Sequence, residues 1–267
     1  MKMDLAEDMT RPSAPPSDMP LPAVPRDLSR WALFLDIDGT LLDIAPSPDA
    51  VRIPPDLPGM LDTLREQAGG ALALVTGREI RKVDEFFAPI CFPVAGVHGA
   101  ELRMPDGSRK GTPISPALPG IISELQVFVD ANPGLLLERK ARAVAVHYRQ
   151  APELGDEVEA HVRLLVETQE TGLEVQPGKM VVEIRPHGVD KGRAIELFME
   201  DAPYAGRLPL VIGDDWTDEA AFRTANARGG VSIRVGRDTR PTEASARLLD
   251  PTAVRAWLAS VLESVTV

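Results

Sequence analysis

Three short apolar runs, each ending in a polar cluster, constrain this chain more than any other feature. Trp31-Ala32-Leu33-Phe34-Leu35 leads into Asp36-Ile37-Asp38-Gly39-Thr40. Ala71-Leu72-Ala73-Leu74-Val75 leads into Thr76-Gly77-Arg78, and Leu208-Pro209-Leu210-Val211-Ile212 into Gly213-Asp214-Asp215-Trp216-Thr217-Asp218-Glu219. Short runs with no polar alternation read as strands buried on both faces, as in parallel sheets. Helical periodicity lies between them: Leu57, Met60, Leu61 and Leu64 recur at one-turn spacing, and Ile80, Val83, Phe86 and Phe87 follow the second run. Two further strands are expected, about 92–97, ending in His98-Gly99-Ala100-Glu101, and 232–236. The β-α-β-α-β order predicts an α/β fold with a parallel sheet wrapped by helices. Ligands of such sheets bind outside the carboxyl ends of the strands, so all three polar clusters are expected along one edge.

The rhythm breaks at Pro105-Asp106-Gly107, a turn signal, and resumes near Asp190. In between, a helix is expected over 121–129, an alternating strand over 143–149 and a second helix over 153–168. Two more strands are expected at 173–175 and 180–185, split by Pro177-Gly178. Val144, Val146 and Tyr148 alternate with Ala145, His147 and Arg149, and Val182 and Ile184 with Val181, Glu183 and Arg185. This α/β insertion, 105–186, has one apolar sheet face for its helices to cover. Its polar face is either solvated or looks down on an active site. The core is then 28–104 together with 187–267. Residues 1–27 hold Pro12, Pro15, Pro16, Pro20, Pro22 and Pro25, carry acids where a signal peptide needs positive charge, and read as a disordered or extended lead-in.

A net charge of −11 argues against nucleic acid or an anionic membrane surface as a partner, because both demand basic patches. No apolar run approaches the roughly 20 residues that span a bilayer. Cys91 is the only cysteine and reads as plain core; a chain without a disulfide suits a reducing, cytoplasmic setting.

Five Asp residues, Asp36, Asp38, Asp214, Asp215 and Asp218, gather at the expected sheet edge, with Lys191 at a helix start nearby. So many carboxylates call for a divalent cation, and an oxygen-only donor set favours Mg2+ over zinc. Taken singly these signals have plainer readings. D-x-D-G is also a strand-end turn, Lys191 is also a solvated helix residue, and His147 is also a surface strand residue.

Together, D-x-D-G-T, T-G-R, a Lys opening a helix and G-D-D-x-x-D resemble the motif set of the haloacid dehalogenase (HAD) superfamily of phosphotransferases. The resemblance covers about 31–104 and 187–267 and implies a HAD-like Rossmannoid core with an inserted α/β cap. The finer likeness is to the trehalose-6-phosphate phosphatase family. It rests on Gly213 to Glu219, on Gly96-Val97-His98-Gly99-Ala100-Glu101, and on the cap segments Glu138-Arg139-Lys140, His147-Tyr148-Arg149 and Gly178 to Pro186. Thr76 stands where that family usually has Ser, supplying the same hydroxyl. The stretch Ala141-Arg142-Ala143 is less typical of it.

The resemblance implies hydrolysis of trehalose 6-phosphate in two steps. Asp36 would be the nucleophile, forming an aspartyl-phosphate, and Asp38 the general acid and then base. Mg2+ would be held by Asp36, the backbone carbonyl of Asp38 and Asp214, with Asp215 or Asp218 acting through a metal-bound water or orienting Lys191. Thr76 and Lys191 would bind phosphoryl oxygens, with Gly39 offering its N–H and Gly77 and Arg78 flanking. Lys140, His147, Arg149, Lys179 and Glu183 from the cap, and His98 from the core, would meet the sugar. Lys140 has the wrong parity to share a strand face with His147, so a bulge or loop is expected there. The phosphosugar is expected as a small-molecule substrate, with a functional partnership to a trehalose-6-phosphate synthase. Other sugars with the same chemistry, such as sucrose phosphate or mannosyl-phosphoglycerate, stay open, and so does a silent phosphosugar-binding domain.

Overall fold

The computed structural model describes residues 19–23, 25, 27–45, 50–167 and 172–265. Its first half contains β1 (Trp31–Leu35), α1 (Leu57–Gln67), β2 (Leu72–Val75), α2 (Ile80–Phe87), β3 (Val94–Gly96), β4 (Glu101–Arg103) and β5 (Arg109–Gly111). The middle holds α3 (Leu118–Ala131), β6 (Leu136–Arg139), β7 (Val144–His147), α4 (Gly155–Glu167), β8 (Leu173–Gly178) and β9 (Val181–Pro186). The last third returns through α5 (Lys191–Met199), β10 (Leu208–Gly213), α6 (Glu219–Ala227), β11 (Val231–Val235), β12 (Ala246–Leu248) and α7 (Pro251–Val265).

Eight strands form the core sheet in the order β12-β11-β10-β1-β2-β3-β4-β5, parallel from β12 to β3 and antiparallel at β4 and β5. The apolar runs alternate between its two faces. Leu33, Leu35 and Leu74 pack with α1, α2 and α7, while Ala32, Phe34 and Ala73 pack with α5 and α6. On the second face Phe34 stacks on Tyr204 at 5.5 Å and meets Phe198 at 6.0 Å. The buried Tyr204 hydroxyl donates to the Leu72 carbonyl at 3.1 Å, which satisfies its polar tip.

Register places the site. Leu35 pairs with Ile212 on one side and Leu74 on the other, so β10, β1 and β2 end level and their polar clusters lie side by side. The cap sheet, β6-β7-β9-β8, is wholly antiparallel. Val144, Val146, Val182 and Ile184 pack under α3 and α4 on one face, and Ala145, His147, Val181 and Glu183 face the cleft on the other.

Several sequence expectations need correction. The insertion begins later than residue 105, because Arg109–Gly111 pairs with Glu101–Arg103 and lengthens the core sheet. That strand is wholly exposed and basic, which hides it from an apolar search. Pro177-Gly178 does not split the cap strands. β8 runs through both residues, and the turn falls at Lys179-Met180, with Met180 at φ 63°. A proline is tolerated there because β8 is an edge strand. Cys91 is exposed rather than core; Phe92 beside it fills the interior. The lead-in up to residue 18 lies outside the described residues. Beyond it the carbonyls of Pro20, Pro22 and Pro25 accept from the Arg247 N–H, the Trp257 indole and the Ser264 hydroxyl, so this part is tied to β12 and α7. Among the described residues no helix is long and apolar enough to cross a membrane.

The aromatic contacts of Phe34 set a test. Phe34→Ala is expected to lower stability by about 3–5 kcal/mol, the range for truncating a buried aromatic. Urea unfolding followed by circular dichroism should show the midpoint fall with the slope unchanged.

Candidate active site

Asp36 follows the last residue of β1, is buried, and donates its N–H to the Ile212 carbonyl at 3.0 Å. Lys191 opens α5, whose N-cap Asp190 accepts from the Arg193 N–H at 2.7 Å. The Lys191 ammonium donates to Asp36 Oδ1 and to Asp218 Oδ1, both at 2.7 Å. Asp218 Oδ2 accepts the N–H groups of Asp214 at 3.1 Å and Asp215 at 3.0 Å, which folds the loop after β10 back on itself. Oxygens of Asp36, Asp214 and Asp218 all lie within 4.8 Å of one another.

The electrostatics follow from this crowding. Burial pushes the Asp36 carboxyl up to about 7, with Asp218 and Asp38 adding to the rise and Lys191 opposing it. Burial and the neighbouring Asp36, Asp218 and Asp215 carboxylates push Asp214 well above the usual range. Burial works against the Lys191 charge, but Asp218 and Asp36 outweigh it and hold its pKa up. One lysine cannot balance the charge of three buried carboxylates. The hard, oxygen-only donor set fits a divalent cation, which would supply the missing charge. Gly39, at φ +83°, fits the same crowding: a Cβ there would lie 2.2 Å from Asp214 Oδ2. Its N–H donates to the Leu42 carbonyl at 2.7 Å and so is not aimed at a phosphate, contrary to the sequence expectation.

The loop after β2 forms the next wall. Thr76 is buried, and its Oγ1 accepts the Arg78 N–H at 3.1 Å. Arg78 forks Asp38, Nε to Oδ2 at 2.6 Å and Nη2 to Oδ1 at 2.7 Å, and lies over the Phe86 ring at 4.6 Å. Asp38 is therefore turned toward Arg78 and stands apart from the carboxylate cluster. Gly77 lets His98 come close, since a Cβ would sit 2.6 Å from His98 Nε2. His98 and Val97 both adopt positive φ, 54° and 48°. Backbone bonds from Val97 N–H to the Arg78 carbonyl and from His98 N–H to the Thr76 carbonyl, each 2.9 Å, hold that strained turn.

The cap meets this wall directly. Lys140 lies in the turn beyond β6, its N–H bonded to the Ala143 carbonyl at 3.0 Å, which removes the parity problem. Its ammonium donates to the Gly77 carbonyl and to Glu183 Oε1, each at 3.0 Å, and Glu183 Oε2 pairs with His98 Nε2 at 3.1 Å. Burial acts to raise the Glu183 carboxyl, but Lys140 and His98 hold it far below the usual range. Burial drives the His98 imidazole down despite Glu183. His147 Nε2 pairs with Glu138 Oε2 at 2.8 Å on the cleft face. Glu138 is a cleft residue to which the sequence reading gave no role of its own, although it stands in the cap segment Glu138-Arg139-Lys140. Arg149 and the exposed Lys179 also line the cleft, joined by a bond from Arg149 Nη2 to the Lys179 carbonyl at 3.1 Å. Asp215 lines the cleft outside the three-carboxylate set.

A doubly wound core with a carboxylate and lysine cluster at its strand ends and a cap inserted over them is a HAD-like fold. The family described as trehalose-phosphatase matches residues 34–252. The probable trehalose-phosphate phosphatase of Sinorhizobium fredii is 46% identical over 241 residues, covering 90% of this chain and 91% of its own length. The trehalose-6-phosphate phosphatase of Escherichia coli is 40% identical over 240 residues, covering 90% and 89%. The C-terminal domain of Candida albicans trehalose-6-phosphate phosphatase shares the fold with a TM-score of 0.79 at 23% identity, over 92% of this chain and 99% of that one. The chain belongs to the trehalose-phosphatase family.

Glu183 gives a pH test with a fixed sign. Its folded pKa is depressed, so its contribution to stability is complete above the unfolded value and is lost as pH falls toward the folded one. Glu183→Gln leaves Lys140 buried without its counter-charge and should cost about 3–5 kcal/mol near neutrality. Urea unfolding at several pH values should show the gap between the two proteins constant above about pH 5 and narrowing below about pH 4.

Proposed function

We propose that this chain hydrolyses trehalose 6-phosphate to trehalose and phosphate, using Asp36 as nucleophile and a bound Mg2+. The observation that carries the reading is the buried set of Asp36, Lys191, Asp218 and Asp214, opening into a cleft roofed by the polar face of the cap. Asp36, the Asp38 carbonyl and Asp214 would hold the metal. When bound, it supplies the positive charge that lets buried Asp36 be ionised beside a phosphoryl group.

The residues then divide the work. Asp36 attacks phosphorus, the bond from phosphorus to the sugar oxygen breaks, and Asp38 gives that oxygen its proton. In the second half, ionised Asp38 takes a proton from water as the water attacks the aspartyl-phosphate, releasing phosphate and restoring Asp36. The Arg78 guanidinium grips both Asp38 oxygens and fixes where that carboxyl rests between the two halves. In the first half the Asp38 carboxyl turns from Arg78 toward the leaving oxygen. Lys191, oriented by Asp218, and Thr76 bind phosphoryl oxygens, where charge sits in the transition state. Lys140, Glu183, His98, His147 and Glu138 offer donors and acceptors to the glucosyl hydroxyls, with Arg149 and Lys179 flanking. In this reading a trehalose-6-phosphate synthase is the functional partner and the cytoplasm the setting.

Phosphate release should be fastest with trehalose 6-phosphate in a panel with sucrose phosphate, mannosyl-phosphoglycerate and glucose 6-phosphate; equal rates with glucose 6-phosphate would refute the substrate. Asp36→Asn should abolish turnover, and activity surviving that change would rule out the nucleophile. EDTA should stop the reaction, and added Mg2+ should restore it.

A further inference from the structure

Glu79 ends the loop that begins with Thr76, and the chemistry above gives it no part. It is the N-cap residue of α2, yet its side chain makes no hydrogen bond to its own helix. An N-cap side chain ordinarily accepts a first-turn N–H, which is why Ser, Thr, Asp and Asn are favoured there. Glu79 instead reaches across to the cap: its Oε1 accepts the Ala141 N–H at 2.6 Å. The carboxylate is largely shielded, and the Arg81 guanidinium, 3.9 Å away, is mostly exposed.

The partner of this bond is the β6–β7 turn, the stretch that departs from the family pattern in sequence. Three consecutive residues of that turn are each fixed to the core. The Lys140 ammonium bonds the Gly77 carbonyl, Ala141 bonds Glu79, and Arg142 bonds the Thr112 carbonyl. Ala143 is buried with Val97 and Ala100. Between Gly77 and Glu79 stands Arg78, the fork on Asp38. One four-residue loop therefore carries the phosphate-side hydroxyl, the partner of the acid–base carboxylate and two anchors for the cap. Of those anchors, only Glu79 is a side chain, and it fixes the backbone beside Lys140.

We propose that Glu79 is a positioning residue for substrate binding: by holding the Ala141 N–H it seats the β6–β7 turn so that Lys140 enters the cleft at the height of the bound sugar. It touches neither substrate nor the reacting atoms, and its effect passes through Lys140. The proposal rests on the phosphosugar reading of the cleft.

Initial rates test it with trehalose 6-phosphate and with p-nitrophenyl phosphate, which has no sugar for Lys140 to hold. Glu79→Ala should raise KM for trehalose 6-phosphate by about tenfold, the scale of one charge-assisted hydrogen bond, with a smaller effect on kcat. Glu79→Gln keeps an acceptor oxygen and should return KM to within about twofold of the parent protein. KM for p-nitrophenyl phosphate should stay unchanged in both. In a double-mutant cycle, Glu79→Ala combined with Lys140→Ala should be no worse than Lys140→Ala alone. Hydrogen exchange supplies a readout free of catalysis: the Ala141 amide should be protected in the parent and Glu79→Gln proteins and should exchange faster in Glu79→Ala.

Equal losses on both substrates, losses that multiply in the double variant, or an Ala141 amide indifferent to Glu79 would each overturn the proposal. Should the parent protein release phosphate from another phosphosugar and not from trehalose 6-phosphate, the substrate reading fails alone, and the cycle is run on the sugar that is accepted.

Discussion

A single ammonium group holds the acidic edge of the sheet together. Lys191 sits 2.7 Å from both Asp36 and Asp218, and all three are buried. Unpaired, each charge would be costly in that setting, and paired they still leave an excess of negative charge once Asp214 is counted. The fold serves this arrangement. The level ends of β1, β2 and β10 bring the acids together, and Asp190 caps α5 so that Lys191 starts the helix beneath them. The excess negative charge is what makes the edge a place for a cation, and not merely a stable ion pair.

The second half of the site is made by the cap, and it depends on backbone as much as side chains. The Gly77 carbonyl receives Lys140, and its missing Cβ makes room for His98, which in turn meets Glu183. Two successive residues at positive φ, Val97 and His98, aim the imidazole there. A short chain of buried polar contacts thus joins cap to core, from the Gly77 carbonyl through Lys140 and Glu183 to His98 Nε2.

Much of this was legible in the residues. Buried parallel strands announce themselves as unbroken apolar runs, so β1, β2 and β10 and the polar clusters after them could be read directly. The alternation of Val144, Val146, Val182 and Ile184 fixed which face of the cap sheet turns inward. What stayed hidden has physical reasons. β5 carries no apolar residue, and Pro177 looks like a breaker until the strand is known to be an edge. The bidentate grip of Arg78 on Asp38 and the reach of Glu79 to Ala141 join residues far apart in sequence, with no local pattern to mark them. Gly39 looked like a phosphate donor, but its N–H closes the loop on Leu42, and its value lies in the space it leaves for Asp214.

The inserted cap also sets the order in which the molecule can come together. The partners in the Lys191–Asp36 pair are 155 residues apart, and β1 must wait for β10, since Trp31 pairs with Leu208. The cap between them closes shorter loops, the longest pairing Val144 with Ile184, whereas the central strand pair must join Trp31 to Leu208. On a ribosome the acid-bearing end of β1 is made early, while the lysine that neutralises it and the strand that flanks it emerge only after the whole cap. The buried acidic cluster is therefore completed late, and an incomplete chain carries Asp36 without the lysine that pairs with it.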